Sequence, residues 1–142
     1  MEWLVDALIR ARKSTIKRVH DLTEEQLDIH SADKISIRDL AWHIAKCDNA
    51  AIKPFNPDLE FDDRLYPGLA GGKSKKEVLD YLDKQLQMKC KIISKNLGRL
   101  AEKTQHMSYG EITIGEVMIC SGIDHEAHHR GQIALIRKDN GI

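Results

Sequence analysis

Lys53-Pro54-Phe55-Asn56-Pro57-Asp58-Leu59-Glu60-Phe61-Asp62-Asp63-Arg64-Leu65-Tyr66-Pro67-Gly68-Leu69-Ala70-Gly71-Gly72-Lys73 is the stretch on which the fold turns. Pro54, Pro57 and Pro67, with Gly68, Gly71 and Gly72, prevent any helix from running through it. Antiparallel helices in a bundle are joined by links of roughly two to eight residues, and this link is about twenty residues long. It also carries its own apolar residues, Phe55, Leu59, Phe61, Leu65, Tyr66 and Leu69. A link of that length and character is expected to cross over between parallel helices and to pack on the bundle. The predicted fold is therefore all-α, a four-helix bundle in up-down-down-up order with the long crossover between helices two and three.

The flanking sequence supplies the four helices. In the first, Leu4, Leu8, Ala11, Thr15, Val19 and Leu22 recur at spacings of three and four, the mark of one buried stripe. Thr23-Glu24-Glu25-Gln26-Leu27 reads as a short capped turn. The second helix opens at Ser36-Ile37-Arg38-Asp39, a weaker relative of the capping box with aspartate in place of glutamate, carries Ile37, Leu40, Ile44, Cys47 and Ala51 inward, and ends at Pro54. Ser74-Lys75-Lys76-Glu77 is a full capping box, and its helix runs through Leu79, Leu82, Leu86, Ile93 and Leu97 toward Gly98. Another capping box, Thr113-Ile114-Gly115-Glu116, starts the fourth helix, whose inward face is read as Ile114, Met118, Gly122, His125, His129, Gln132 and Ile136. Asn140-Gly141 closes it. No segment shows strand alternation, and residues 1–142 read as one domain.

Bulk composition excludes several classes. Hydrophobic content of 42% and charged content of 31% suit a globular chain. Twenty-two basic residues balance twenty-two acidic ones, which argues against a nucleic-acid binder and against a polybasic membrane-surface protein. No apolar run approaches the roughly 20 residues that span a bilayer, and Met1-Glu2-Trp3-Leu4-Val5-Asp6 lacks the order of a signal peptide. Cys47, Cys90 and Cys120 are odd in number and in no CxxC arrangement, as expected of reduced thiols in a cytoplasmic protein.

The chemistry lies in the histidines. His125 and His129 sit four residues apart within the apolar stripe of the last helix, and residues so spaced project from nearly the same side. His43 takes an inward register three residues after Leu40 and four before Cys47. Burying such imidazoles without partners would cost several kcal/mol, and a shared divalent cation supplies the partner. Three histidine ligands leave coordination positions open, as in working metal sites. His20, His30 and His106 fall near helix ends or in loops and are read as solvated, while His128 falls on a flank. Cys47 is read either as a fourth ligand that would close the site or as a buried inert thiol. Asp39 is read either as orienting His43 or as capping its own helix. Gly131 suggests close packing or clearance beside the site, and Gln132 either bonds a metal-bound water or lines the pocket. Arg130 is expected to point outward and Glu126 to face away. The crossover could cover the site through Tyr66 or through Asp58, Glu60, Asp62 and Asp63, or be a solvated connector. No nucleophile motif or general base is evident, so catalytic residues stay unassigned.

His125-xxx-His129-Arg130-Gly131-Gln132, with His43 in an upstream helix, resembles the DinB/YfiT-like family of small metal-dependent proteins. The resemblance covers nearly the whole chain, and the final helix matches the family's HxxxH-x-G-Q pattern without departure. It implies a divalent metal on His43, His125 and His129 inside an up-down-down-up bundle. It further implies a metal-dependent thiol transferase or related detoxification enzyme acting on a small molecule, since some relatives transfer a low-molecular-weight thiol or use one as cofactor. A non-catalytic, metal-binding stress-response protein and a metal-dependent hydrolase remain alternatives. Imidazole suits zinc, nickel and iron alike, and homodimers are common among relatives.

Overall fold

The computed structural model describes residues 2–142; Met1, at the head of the N-terminal segment read above, lies outside them. Helix α1 is Glu2–His20, α2 Ile37–Lys46, α3 Asp48–Ile52, α4 Lys75–Lys95, α5 Ile114–Ile119 and α6 His125–Asp139. Helices α2 and α3 together make the predicted second helix. The predicted fourth is α5 and α6 joined through a π-helical turn, Cys120–Asp124. The protein is thus mostly helical, with four long helical segments.

All three predicted capping boxes are formed. Ser36 with Asp39, Ser74 with Glu77, and Thr113 with Glu116 each exchange both hydrogen bonds. Thr23 and Gln26 cap the short turn before α2 in the same way. One departure from an all-helical chain is a hairpin, strand β1 Lys103–His106 paired antiparallel with β2 Gly110–Thr113. Its strands lie on the surface, half-buried or exposed, so neither carries the alternation of a core strand. Gly110, at φ +71°, makes the tight turn possible.

Helices α4 and α6 each pack against both α1 and α2, whereas α1 and α2 touch little although they are consecutive. Arg12 on α1 reaches the Leu82 carbonyl on α4, and Arg130 and Arg137 on α6 bond the Ala11 and Arg18 carbonyls of α1. Two apolar clusters fill the interior. One joins Val19, Leu40, Ile44, Leu82 and Ile133; the other joins Leu4, Leu8, Ile93, Ile114 and Met118. No helix among the described residues is long and apolar enough to cross a membrane.

The crossover is tied down at its far end. Asp39 Oδ2 accepts from Gly68 N at 3.0 Å and Oδ1 from Ala70 N at 2.9 Å. Arg38 donates to the carbonyls of Lys73 (2.6 Å) and Glu24 (2.7 Å). Asp39 therefore caps α2 and anchors the crossover; no hydrogen bond joins it to His43.

Candidate metal centre

Between the two apolar clusters the bundle is polar. His43 projects from the last turn of α2, and His125 and His129 from the first turns of α6. His43 Nε2 lies 3.3 Å from His125 Nε2, which lies 3.1 Å from His129 Nε2. Ring centroids are 4.4 to 5.1 Å apart. Imidazole nitrogens roughly 2.0–2.1 Å from one ion stand roughly 3 Å apart, so both close pairs have the spacing of adjacent ligands. His43 and His129 are buried and His125 is half-buried.

The rings are in the protonation state that binds metal. Burial, with the neighbouring imidazoles, lowers the His43 pKa to about 3 and that of His125 to about 4. Burial likewise lowers His129, although its bond to Gln132 opposes the shift. Gln132 Oε1 lies 2.6 Å from His129 Nδ1. A carbonyl oxygen only accepts, so Nδ1 carries the proton and Nε2 turns its lone pair toward the other two rings.

Cys47, at the end of α2, stands beside this cluster. Its Sγ lies 3.5 Å from His43 Nε2. His43, Cys47 and His125 offer ligand atoms all within 4.8 Å of one another, a group that could hold a metal ion. Burial, reinforced by Asp63 and Asp48, pushes the thiol up to about 12.

Beneath the histidines lies a charge network that sequence reasoning missed. Arg12, fully buried, donates Nε to Glu126 Oε1 at 2.9 Å and Nη2 to both oxygens of Asp48 at 2.9 and 3.0 Å. Thr15 Oγ1 donates to Glu126 Oε1 (2.7 Å), and Lys89 Nζ to Asp48 Oδ1 (2.6 Å). Burial opposes the Arg12 charge, but Asp48 and Glu126 outweigh it and hold its pKa above the ordinary value. Two cations meet two anions, and no buried side-chain nitrogen or oxygen among the described residues lacks a partner. Glu126 thus faces the interior, contrary to expectation, because the π-turn advances the phase of α6. Its buried positions are Glu126, His129, Ile133 and Ile136. The signal was available: Arg12 follows Leu8 by four and precedes Thr15 by three, inside the apolar stripe.

Other expectations change at the periphery. A Cβ on Gly131 would meet nothing within 4 Å, so this glycine serves no close approach; at Gly122 it would stand 2.7 Å from Leu8 Cδ2. Arg130 is half-buried and bonded to Ala11 rather than free. His128 is exposed on the flank, beside His125 in a cleft of about 340 Å3. His106, expected in solvent, lies half-buried on β1 and lines that same cleft. Of the crossover, Phe61 and Asp63 face the cleft, whereas Tyr66 is exposed and Asp62 pairs with Arg64.

These features define a helical bundle with a histidine cluster set between its second and last long helices. Residues 7–133 match the sequence signature of the DinB superfamily, and the chain belongs to that superfamily. The crystal structure of a DinB-like protein from Bacillus cereus ATCC 10987, at 2.01 Å resolution, matches with a TM-score of 0.80. The match covers 99% of this chain and 93% of that one at 20% sequence identity, a likeness of fold. No curated protein matches the chain.

Proposed function

We propose that the protein is a single domain over residues 1–142 that binds one divalent metal through His43, His125 and His129. We read it as a metal-dependent thiol transferase, or a related detoxification enzyme, for a small-molecule electrophile. The observation that carries the reading is the convergence of three imidazoles, two of them at 3.3 and 3.1 Å from the third. With three neutral ligands a bound ion keeps its full charge and lowers the pKa of a coordinated thiol or water. The residues of the chain hold and orient: Gln132 fixes the His129 tautomer, and the crossover and hairpin narrow access to the site.

An up-down-down-up course of the four helices belongs to the same reading. It is supported by contacts that climb together, Arg38 with Lys73, Ala45 with Gln85 and Asp48 with Lys89. A cytoplasmic location, a homodimer, and zinc, nickel or iron as the metal also belong to it.

The test begins with elemental analysis and X-ray absorption on protein purified without an affinity tag. One metal per chain is expected, lost on His43→Ala, His125→Ala or His129→Ala. Metal-loaded protein should then consume a low-molecular-weight thiol in the presence of electrophiles. No thiol consumption across a broad panel of electrophiles would remove the transferase assignment. A second reading, a closed site in a non-catalytic stress-response protein, is favoured by the position of Cys47. There a sulfur scatterer would join the nitrogens in the absorption spectrum.

A further inference from the structure

Between the crossover and the β1–β2 hairpin runs a groove of about 620 Å3 that continues into the cleft beside His125. The two share Ala50, Phe61, Asp63, His106, Met107 and Ser121. Pro54, Phe61, Met107 and Val117 make much of the wall apolar. Its charged groups are unevenly available. Glu60 and Asp63 line the groove, and Asp124 lines the cleft. Lys53, which also lines it, has Nζ engaged with the Pro57 and Leu59 carbonyls at 3.1 and 2.8 Å. Three carboxylates stand against this one ammonium, so an anionic ligand would meet a net negative lining.

His106 is held as a donor facing this space. The Ser108 amide donates to His106 Nδ1 at 3.1 Å, so the ring proton resides on Nε2. Tyr109 stacks on the ring with centroids 5.0 Å apart. Among the described residues the Nε2–H reaches only Ser121 Oγ, at 3.4 Å. That is longer than an ordinary hydrogen bond, so a better-placed oxygen would take the donor.

We propose that the hairpin and crossover form the binding groove for an uncharged, apolar-bodied small molecule with a carbonyl oxygen. His106 Nε2–H bonds that oxygen, while Phe61 and Met107 cover the apolar body. The assignment deepens the metal-dependent reading and rests on it for the reaction, but binding in the groove requires only the groove.

The experiment uses full-length protein and the uncharged ketone propionyl-dimethylaminonaphthalene, whose emission shifts on entering an apolar site. Dimethylaminonaphthalene, which lacks the carbonyl, and the matching naphthoate are the comparators. His106→Phe keeps an aromatic ring and removes the donor. It is expected to weaken the ketone about tenfold, the size of one net hydrogen bond, and to leave the carbonyl-free compound unchanged. Met107→Ser, at an 81% exposed position where folding is not at stake, should weaken both. The naphthoate should bind wild type at least about tenfold more weakly than the ketone. Unchanged ketone binding in either variant, or naphthoate binding as tight as the ketone, overturns the proposal. Metal content measured on the same samples separates the two readings. Ketone binding through His106 in protein that holds no metal refutes the metal centre and keeps the groove. Metal-loaded protein that binds no ketone does the reverse.

Discussion

Gln132 decides which nitrogen His129 turns inward, and Cys47 decides whether the cluster is open or closed. Sulfur stands close to His43, but burial holds its proton, so ligation would require a metal to displace it. For an open site, Cys47→Ser should retain one metal per chain with nitrogen and oxygen ligands only; elemental analysis with X-ray absorption reads the outcome. Acid acts on the same rings. His43 and His125 have folded pKa values of about 3 and about 4, below the ordinary 6.5. The unfolded chain therefore binds protons first as pH falls. The stability contribution is whole above pH 6.5 and is lost as pH falls through about 4 and about 3. Metal-free protein should show a lower urea midpoint at pH 5 than at pH 7, and His43→Phe should flatten that dependence.

At the scale of the element, the π-turn Cys120–Asp124 is the consequential feature. Inserted just before α6, it changes which face is buried and so brings Glu126 inward beside His129. π-turns of this kind occur often at functional sites. Gly122 within it lies against Leu8, a fully buried side chain whose Cδ2 would have to shift to admit a methyl group. Gly122→Ala should cost about 1–3 kcal/mol, read as a fall in the urea midpoint. Gly131, by contrast, faces open space from a helix interior. Gly131→Ala should stabilise by about 0.5–1 kcal/mol, leaving metal content unchanged. Uniform helical periodicity over residues 114–136 led to an inward face that placed Gln132 with the core and Glu126 outside. A single wide turn is invisible to that periodicity, since it changes backbone hydrogen bonding rather than residue type.

Across the whole molecule, Arg12 joins α1, α3, α4 and α6 at one level. It satisfies two carboxylates whose sequence neighbours, Cys47 and His125, belong to the candidate centre. Removing one partner from a buried ion network leaves charge uncompensated and typically costs about 3–5 kcal/mol. Arg12→Ala should lose stability on that scale in a thermal melt. Arg12→Lys should recover only part, because an ammonium cannot reproduce the two-sided contact.

The sequence by itself determined the four helical segments, their three capping boxes, the breaking stretch at 53–73 and the histidines worth watching. Those features are local: hydrophobic period, cap chemistry and proline placement act within a few residues. Tertiary structure alone decided that Arg12, Lys89, Asp48 and Glu126 neutralise one another. It also decided that a hairpin without core alternation would bring His106 to the cleft. Charge pairing across distant helices and the docking of a surface hairpin depend on which segments meet, a property of the packed chain that no local pattern encodes.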